Sequence, residues 1–72
     1  MALTPGELRA LLLRPRWKNS DFRRATGWTK DEVRRWREKA GLRGRYTYTK
    51  QLQAIDPLLW ESLRLGSRLD AA

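Results

Sequence analysis

Cysteine and histidine are both absent from this 72-residue chain. Disulfide stapling and the commonest zinc sites are thereby excluded. So are a cysteine nucleophile and a histidine general base. Apolar runs are short, and none approaches the roughly 20 residues of a membrane span. The beginning, MALTPGELRALLLRPR, has an early acid and no small-residue cleavage site, so it does not read as a signal peptide. No carboxylate pair, metal cluster or activated nucleophile can be assembled, so neither catalytic residues, metal ligands nor a cofactor are expected and the chain is not read as an enzyme. A soluble cytoplasmic protein with no membrane partner is the expectation.

Basic residues are abundant. Sixteen Lys and Arg stand against eight Asp and Glu, a net charge of +8, which points to a polyanionic partner. Residues 1–18 carry four basic and one acidic residue, residues 19–45 nine and four, and residues 46–72 three of each. The excess is confined to the first two-thirds. Twelve of the sixteen are Arg, a bias that a GC-rich coding sequence would also produce. So short a chain forms a single domain and buries only a little over half of its unfolded surface. Its four Trp, one Phe and many Leu must therefore supply most of the core.

The order of caps and breakers predicts a mainly α fold of four to five short helices. Thr4-Pro5-Gly6-Glu7 is a capping box with proline at the first helical position, opening a helix over 5–13 with Leu8, Leu11 and Leu12 on one stripe. Pro15 ends it, leaving residues 14–18 as a basic connector. Asn19-Ser20-Asp21 offers caps for a second helix to about Thr26. Gly27 breaks that helix, and Thr29-Lys30-Asp31-Glu32 is a second capping box. The third helix then runs from Lys30 to about Ala40, stopped by Gly41, with Val33, Trp36 and Ala40 on its buried face. Residues 42–48 are glycine-punctuated, then β-branched and aromatic, which favours a small hairpin or an extended segment. Helices over 49–65 follow, restarted at Asp56-Pro57, and residues 66–72 read as a fraying tail.

Two short helices around a glycine turn make a helix-turn-helix pattern. FRRATGWTKDEVRRW resembles the helix-turn-helix signature of apolar residues and a turn glycine at fixed spacing, with Phe22, Gly27, Trp28, Val33 and Trp36 in those places. The family usually has a small residue after the place held by Phe22, where this chain has Arg23. TGWTKDEVRRWREKAGLRGRYTYTKQLQAI further resembles the winged helix-turn-helix of MerR-type regulators and phage excisionases, which implies a short β wing over Arg43 to Tyr48. The resemblance implies a sequence-specific binder of double-stranded DNA, a transcriptional regulator or excisionase-like architectural factor from a phage or mobile element, associated with the nucleoid.

In such a fold the third helix enters the major groove. Base contacts are then expected from Arg34 and Arg35, with Lys30 and Asp31 beside them. Phosphate contacts are expected from Arg23, Arg24, Thr29, Arg37, Arg43 and Arg45. The same face also reads as a solvated charge ladder, because Asp31 precedes Arg35 by four residues and Arg34 precedes Glu38 by four. Tyr46 and Tyr48 are further candidates, for stacking on bases, although alternation in a wing more often puts one of them on the core. A competing expectation is a protein-interaction module of the same fold that docks on RNA polymerase, and a third is a ribosome- or RNA-associated basic protein. The neutral, apolar C-terminal segment suggests a homodimer, with Leu59, Trp60 and Leu63 as the candidate interface and closure of the monomer core by Trp60 as the alternative.

Overall fold

The computed structural model describes the backbone of residues 3–71 and the side chains of residues 3–66. Five helices and two short strands follow in the order α1 (Pro5–Leu12), β1 (Arg16–Lys18), α2 (Asn19–Thr26), α3 (Lys30–Ala40), β2 (Tyr46–Tyr48), α4 (Thr49–Ile55) and α5 (Pro57–Ala71). The fold is mainly α, as the sequence predicts.

Each helix start follows from its local chemistry. At α1 the Thr4 hydroxyl accepts from the Glu7 N–H at 3.2 Å, while the Glu7 carboxylate accepts from the Thr4 N–H at the same distance. That backbone N–H, helped by the Thr4 hydroxyl and Arg24, holds the Glu7 carboxyl below its ordinary range. The box at α3 repeats the pattern with Thr29 and Glu32 at 3.2 and 3.1 Å. At α2 the order differs from expectation. The cap residue is Lys18, and Asp21, three positions into the helix, reaches back to accept its N–H at 3.2 Å. Asp56 opens α5 by accepting the Leu59 N–H at 3.1 Å.

Two helix ends need glycine. Gly27 and Gly41 close α2 and α3 at φ of 76° and 74°, a region that costs other L-residues roughly 1–2 kcal/mol. At the end of α3 the Leu42 N–H reaches the Arg37 carbonyl and the Gly41 N–H reaches that of Glu38. This double bond pattern turns the chain sharply away from the helix axis.

The connector at 14–18 is not a plain loop. Arg16–Lys18 pairs antiparallel with Tyr46–Tyr48, in the register Arg16↔Tyr48, Trp17↔Thr47 and Lys18↔Tyr46. The extended segment predicted within 42–48 therefore exists, but its partner lies upstream of α2 rather than in a hairpin with itself. The ribbon brackets α2 and α3 and ties both ends of that pair together. Thr49 strengthens the bracket: its N–H bonds the Pro15 carbonyl at 3.0 Å and its hydroxyl donates to the Arg14 carbonyl.

Under the ribbon lies the core. Leu11, Trp17, Phe22, Val33, Leu52 and Leu63 are buried together. The four tryptophans and Phe22 form one connected cluster, with Phe22 at its hub. Its ring centroid lies 5.9 Å from Trp17, 5.6 Å from Trp28 and 5.0 Å from Trp36, and Trp17 continues to Trp60 at 6.5 Å. Phe22 and Val33 lock α2 to α3 as expected, and Trp28 fills the corner beside Gly27. Trp36 donates its indole N–H to Asp56 at 3.0 Å, so one carboxylate both caps α5 and fastens it to α3.

The C-terminal helix departs from expectation in its length. It runs past Gly66 to Ala71, where a tail over 66–72 was expected; residue 72 lies outside the described residues. For Leu59, Trp60 and Leu63, read either as a dimer interface or as closing the monomer core, the packing follows the second reading. Leu63 is buried in the core, and Leu59 and Trp60 pack against it. The physical reason is size: a chain this short has little else to cover Trp17 and Leu11 on that side. Leu58, by contrast, is 83% exposed.

Candidate nucleic-acid interface

The exposed face of α3 carries Lys30, Asp31, Arg34 and Arg35, all four exposed. The capping box at Thr29 and the Schellman-like end at Gly41 define this helix, and Val33 anchors it, so its solvent face is held rigidly. Arg34 is engaged locally: its guanidinium meets the Asp31 carboxylate at 2.9 Å. Both side chains are about two-thirds exposed (64% and 65%), so this pair is worth a few tenths of a kcal/mol at most and is easily exchanged.

Two clefts gather several of the cations. One, about 240 Å³, is lined by Asn19 and Arg23 from α2, by Lys30, Arg34, Arg37 and Glu38 from α3, and by Arg43 beyond it. The other, about 620 Å³ and open, follows Ser20, Arg23 and Arg24 to Gly27 and Trp28. Arg23 belongs to both. It is half-buried, and its Nε is buried without a hydrogen-bond partner. The Arg23 side chain thus lines both clefts while staying half-buried between them. Arg35, Asp31 and Arg45 stand exposed outside both clefts. Arg24 pairs with Glu7 of α1 at 3.4 Å, both half-exposed.

Two residues expected at phosphates are occupied within the fold. Arg37 is only 7% exposed. It donates to the Asn19 side-chain oxygen at 3.0 Å and to the Tyr46 carbonyl at 2.9 Å. It thus joins α2, α3 and β2, and its head is committed to the interior. A helical wheel contains the signal, since Arg37 lies one turn beyond Val33, about 40° around the helix from it. Thr29 has its N–H and its hydroxyl lone pair engaged by Glu32, so a carboxylate already stands at the end of α3 where an anion was expected.

Sequence reasoning missed the face of the ribbon. Alternation buries Trp17 and Thr47, at 0% and 1% exposure, and turns Arg16, Lys18, Tyr46 and Tyr48 to the other side. The Arg16 guanidinium lies 4.5 Å from the centre of the Tyr46 ring, within cation–π range. The polar-apolar-polar order of Arg16-Trp17-Lys18 is a strand signal, but three residues are too few to distinguish it from a loop.

No helix among the described residues is long and apolar enough to cross a membrane. Comparison with known protein families, with curated proteins and with solved structures finds no match to this chain.

Proposed function

We propose that this protein binds double-stranded DNA in helix-turn-helix fashion, with α3 in the major groove, and acts as a small transcriptional regulator or excisionase-like architectural factor. One observation carries the reading: Arg23, Lys30, Arg34 and Arg43, from three consecutive segments, converge on one cleft beside the exposed face of a rigidly capped helix. Arg34 and Arg35 are assigned to base edges, where a guanidinium grips guanine O6 and N7 with two hydrogen bonds. Arg23, Arg24, Arg43 and Arg45 are assigned to phosphates, which set register and affinity. The acids on the same helix tune rather than abolish this: Asp31 holds Arg34 in a weak, exposed pair that a stronger acceptor can displace.

The test is a titration of duplex DNA at two salt concentrations. With five or six phosphates neutralised, log affinity falls against log salt with a slope of about −5. On a selected site, Arg34→Ala or Arg35→Ala costs about 1–3 kcal/mol and relaxes base preference, whereas Arg43→Ala weakens all duplexes alike. A flat salt response removes duplex DNA as the partner.

A second reading, docking on RNA polymerase or another protein, is supported by a mainly apolar groove of about 360 Å³ that includes Leu12, Leu13 and Pro15. Leu13 is 87% exposed there. A flat salt response together with saturable binding of polymerase would favour it.

A further inference from the structure

The ribbon face stands apart from α3 and is chemically different from it. Across the two strands the register sets Arg16 opposite Tyr48 and Lys18 opposite Tyr46. Two cations thus alternate diagonally with two aromatic rings on one surface, spaced by the roughly 4.8 Å between paired strands. The inner side of the same ribbon is anchored by Trp17 and Thr47, both essentially without exposure. The surface is thereby anchored to the core from beneath.

Its charge is unopposed. Residues 8–20, around β1, and residues 39–55, around β2, each contain four basic residues and no acid. Strand pairing brings these two acid-free segments side by side. Asp21, the first acid after β1, is turned onto the Lys18 backbone N–H at 3.2 Å and the Arg14 guanidinium at 3.5 Å. On α3, by contrast, Asp31, Glu32 and Glu38 sit among the cations.

We infer that this face is a second binding site, for unpaired nucleotides of a single-stranded nucleic acid. The occupant follows from the chemistry. Phosphates answer the acid-free cations, and bases answer aromatic rings on the same side of the ribbon, a combination that holds single strands with little regard to sequence. Tyr48 is 46% exposed and offers a ring to one base. Tyr46 is already covered by Arg16, and the outer plane of that guanidinium offers a second stacking surface, as arginine does for splayed bases in RNA recognition. Lys18 and Arg45 flank the pair and receive the backbone. A duplex cannot use the rings in this way, because its bases are stacked on one another. The site does not depend on the assignment of α3 to duplex DNA.

The experiment compares fluorescence anisotropy of labelled oligothymidylate of about twelve nucleotides with that of an abasic strand of equal length, which keeps the phosphates and lacks the bases. The wild-type protein is expected to bind the base-bearing strand roughly tenfold more tightly or better. Tyr48→Ala removes most of that preference and leaves affinity for the abasic strand and for a duplex unchanged, while Tyr48→Phe, which keeps the ring, retains it. Oligouridylate of the same length identifies the source: tighter binding of either strand keeps the site and names RNA or DNA as its ligand. Equal affinity for the base-bearing and abasic strands overturns the proposal, and this comparison needs no variant. So does an unchanged preference in a folded Tyr48→Ala protein. Arg34→Ala, assayed on the same probes and on the duplex, keeps the two readings apart: it is expected to weaken duplex binding and leave the base preference intact, and a loss of base preference in this variant overturns the assignment to the ribbon.

Discussion

Arg37 and Thr47 show how much a single buried polar atom decides in a protein this small. Arg37 carries a full charge at 7% exposure and has two of its nitrogens bonded, to Asn19 and to the Tyr46 carbonyl. Its removal leaves both acceptors without their donor, so Arg37→Ala is expected to cost about 2–4 kcal/mol. Urea unfolding followed by tryptophan fluorescence measures this, and a loss near zero would mean that the residue is free for a ligand after all. Thr47 is the opposite case. Its hydroxyl is buried with no hydrogen-bond partner, directly across from Trp17, whose indole N–H is equally unpartnered. Thr47→Val preserves the shape and discards the unsatisfied hydroxyl, and is expected to raise stability by about 1 kcal/mol. A lowered denaturation midpoint would show that the hydroxyl does find an acceptor.

At the scale of elements, the corner between α2 and α3 is the joint on which the candidate interface depends. Gly27 takes φ of 76°, and a Cβ built there would meet nothing within 4 Å. The cost of a side chain is therefore conformational and not steric. Gly27→Ala is expected to destabilise by about 1–2 kcal/mol, and Gly27→Asn by less, because asparagine tolerates the left-handed region better. Thermal unfolding of the two variants gives the order, and equal stabilities would mean the turn relaxes out of that region. The corner is filled from the other side by Trp28, which stands edge-on to Phe22 at 79°. Loss of the joint would let α3 swing, and duplex affinity should fall with stability.

For the molecule as a whole, the issue is where the apolar C-terminal helix is spent. The packing of α5 on α1, with Leu63 and Leu11 in the same cluster, and the tilted approach of Trp60 to Trp17 at 6.5 Å close the core from below. Trp60→Glu is accordingly expected to unfold the protein rather than to dissociate it. Thermal midpoints of the wild type that do not change with protein concentration would agree with closure inside one chain, whereas a midpoint that rises with concentration would point to an obligate oligomer. Leu58 and Leu65 remain outward on α5, at 83% and 46% exposure, and take no part in that core.

The helices were legible from residues 4–57 because their signals are local. Both Thr-x-x-Glu boxes, the two glycines that end α2 and α3, and the Asp56-Pro57 restart act within one turn of chain, and each stands where the sequence puts it. Phe22 was picked out only by the helix-turn-helix resemblance, whereas Val33 was equally plain from periodicity. The ribbon was not, since its energy comes from pairing Arg16–Lys18 with Tyr46–Tyr48, thirty residues apart, and no local pattern encodes a partner at that distance. The same distance explains the rest. Tertiary packing decided which partners Arg37 finds, Asn19 and a strand carbonyl, chose core closure for Trp60 from its two readings, and set both tyrosines on one side of the ribbon with two cations. Local hydrogen bonds are written into neighbouring residues, whereas burial belongs to whichever surfaces the closed chain brings together.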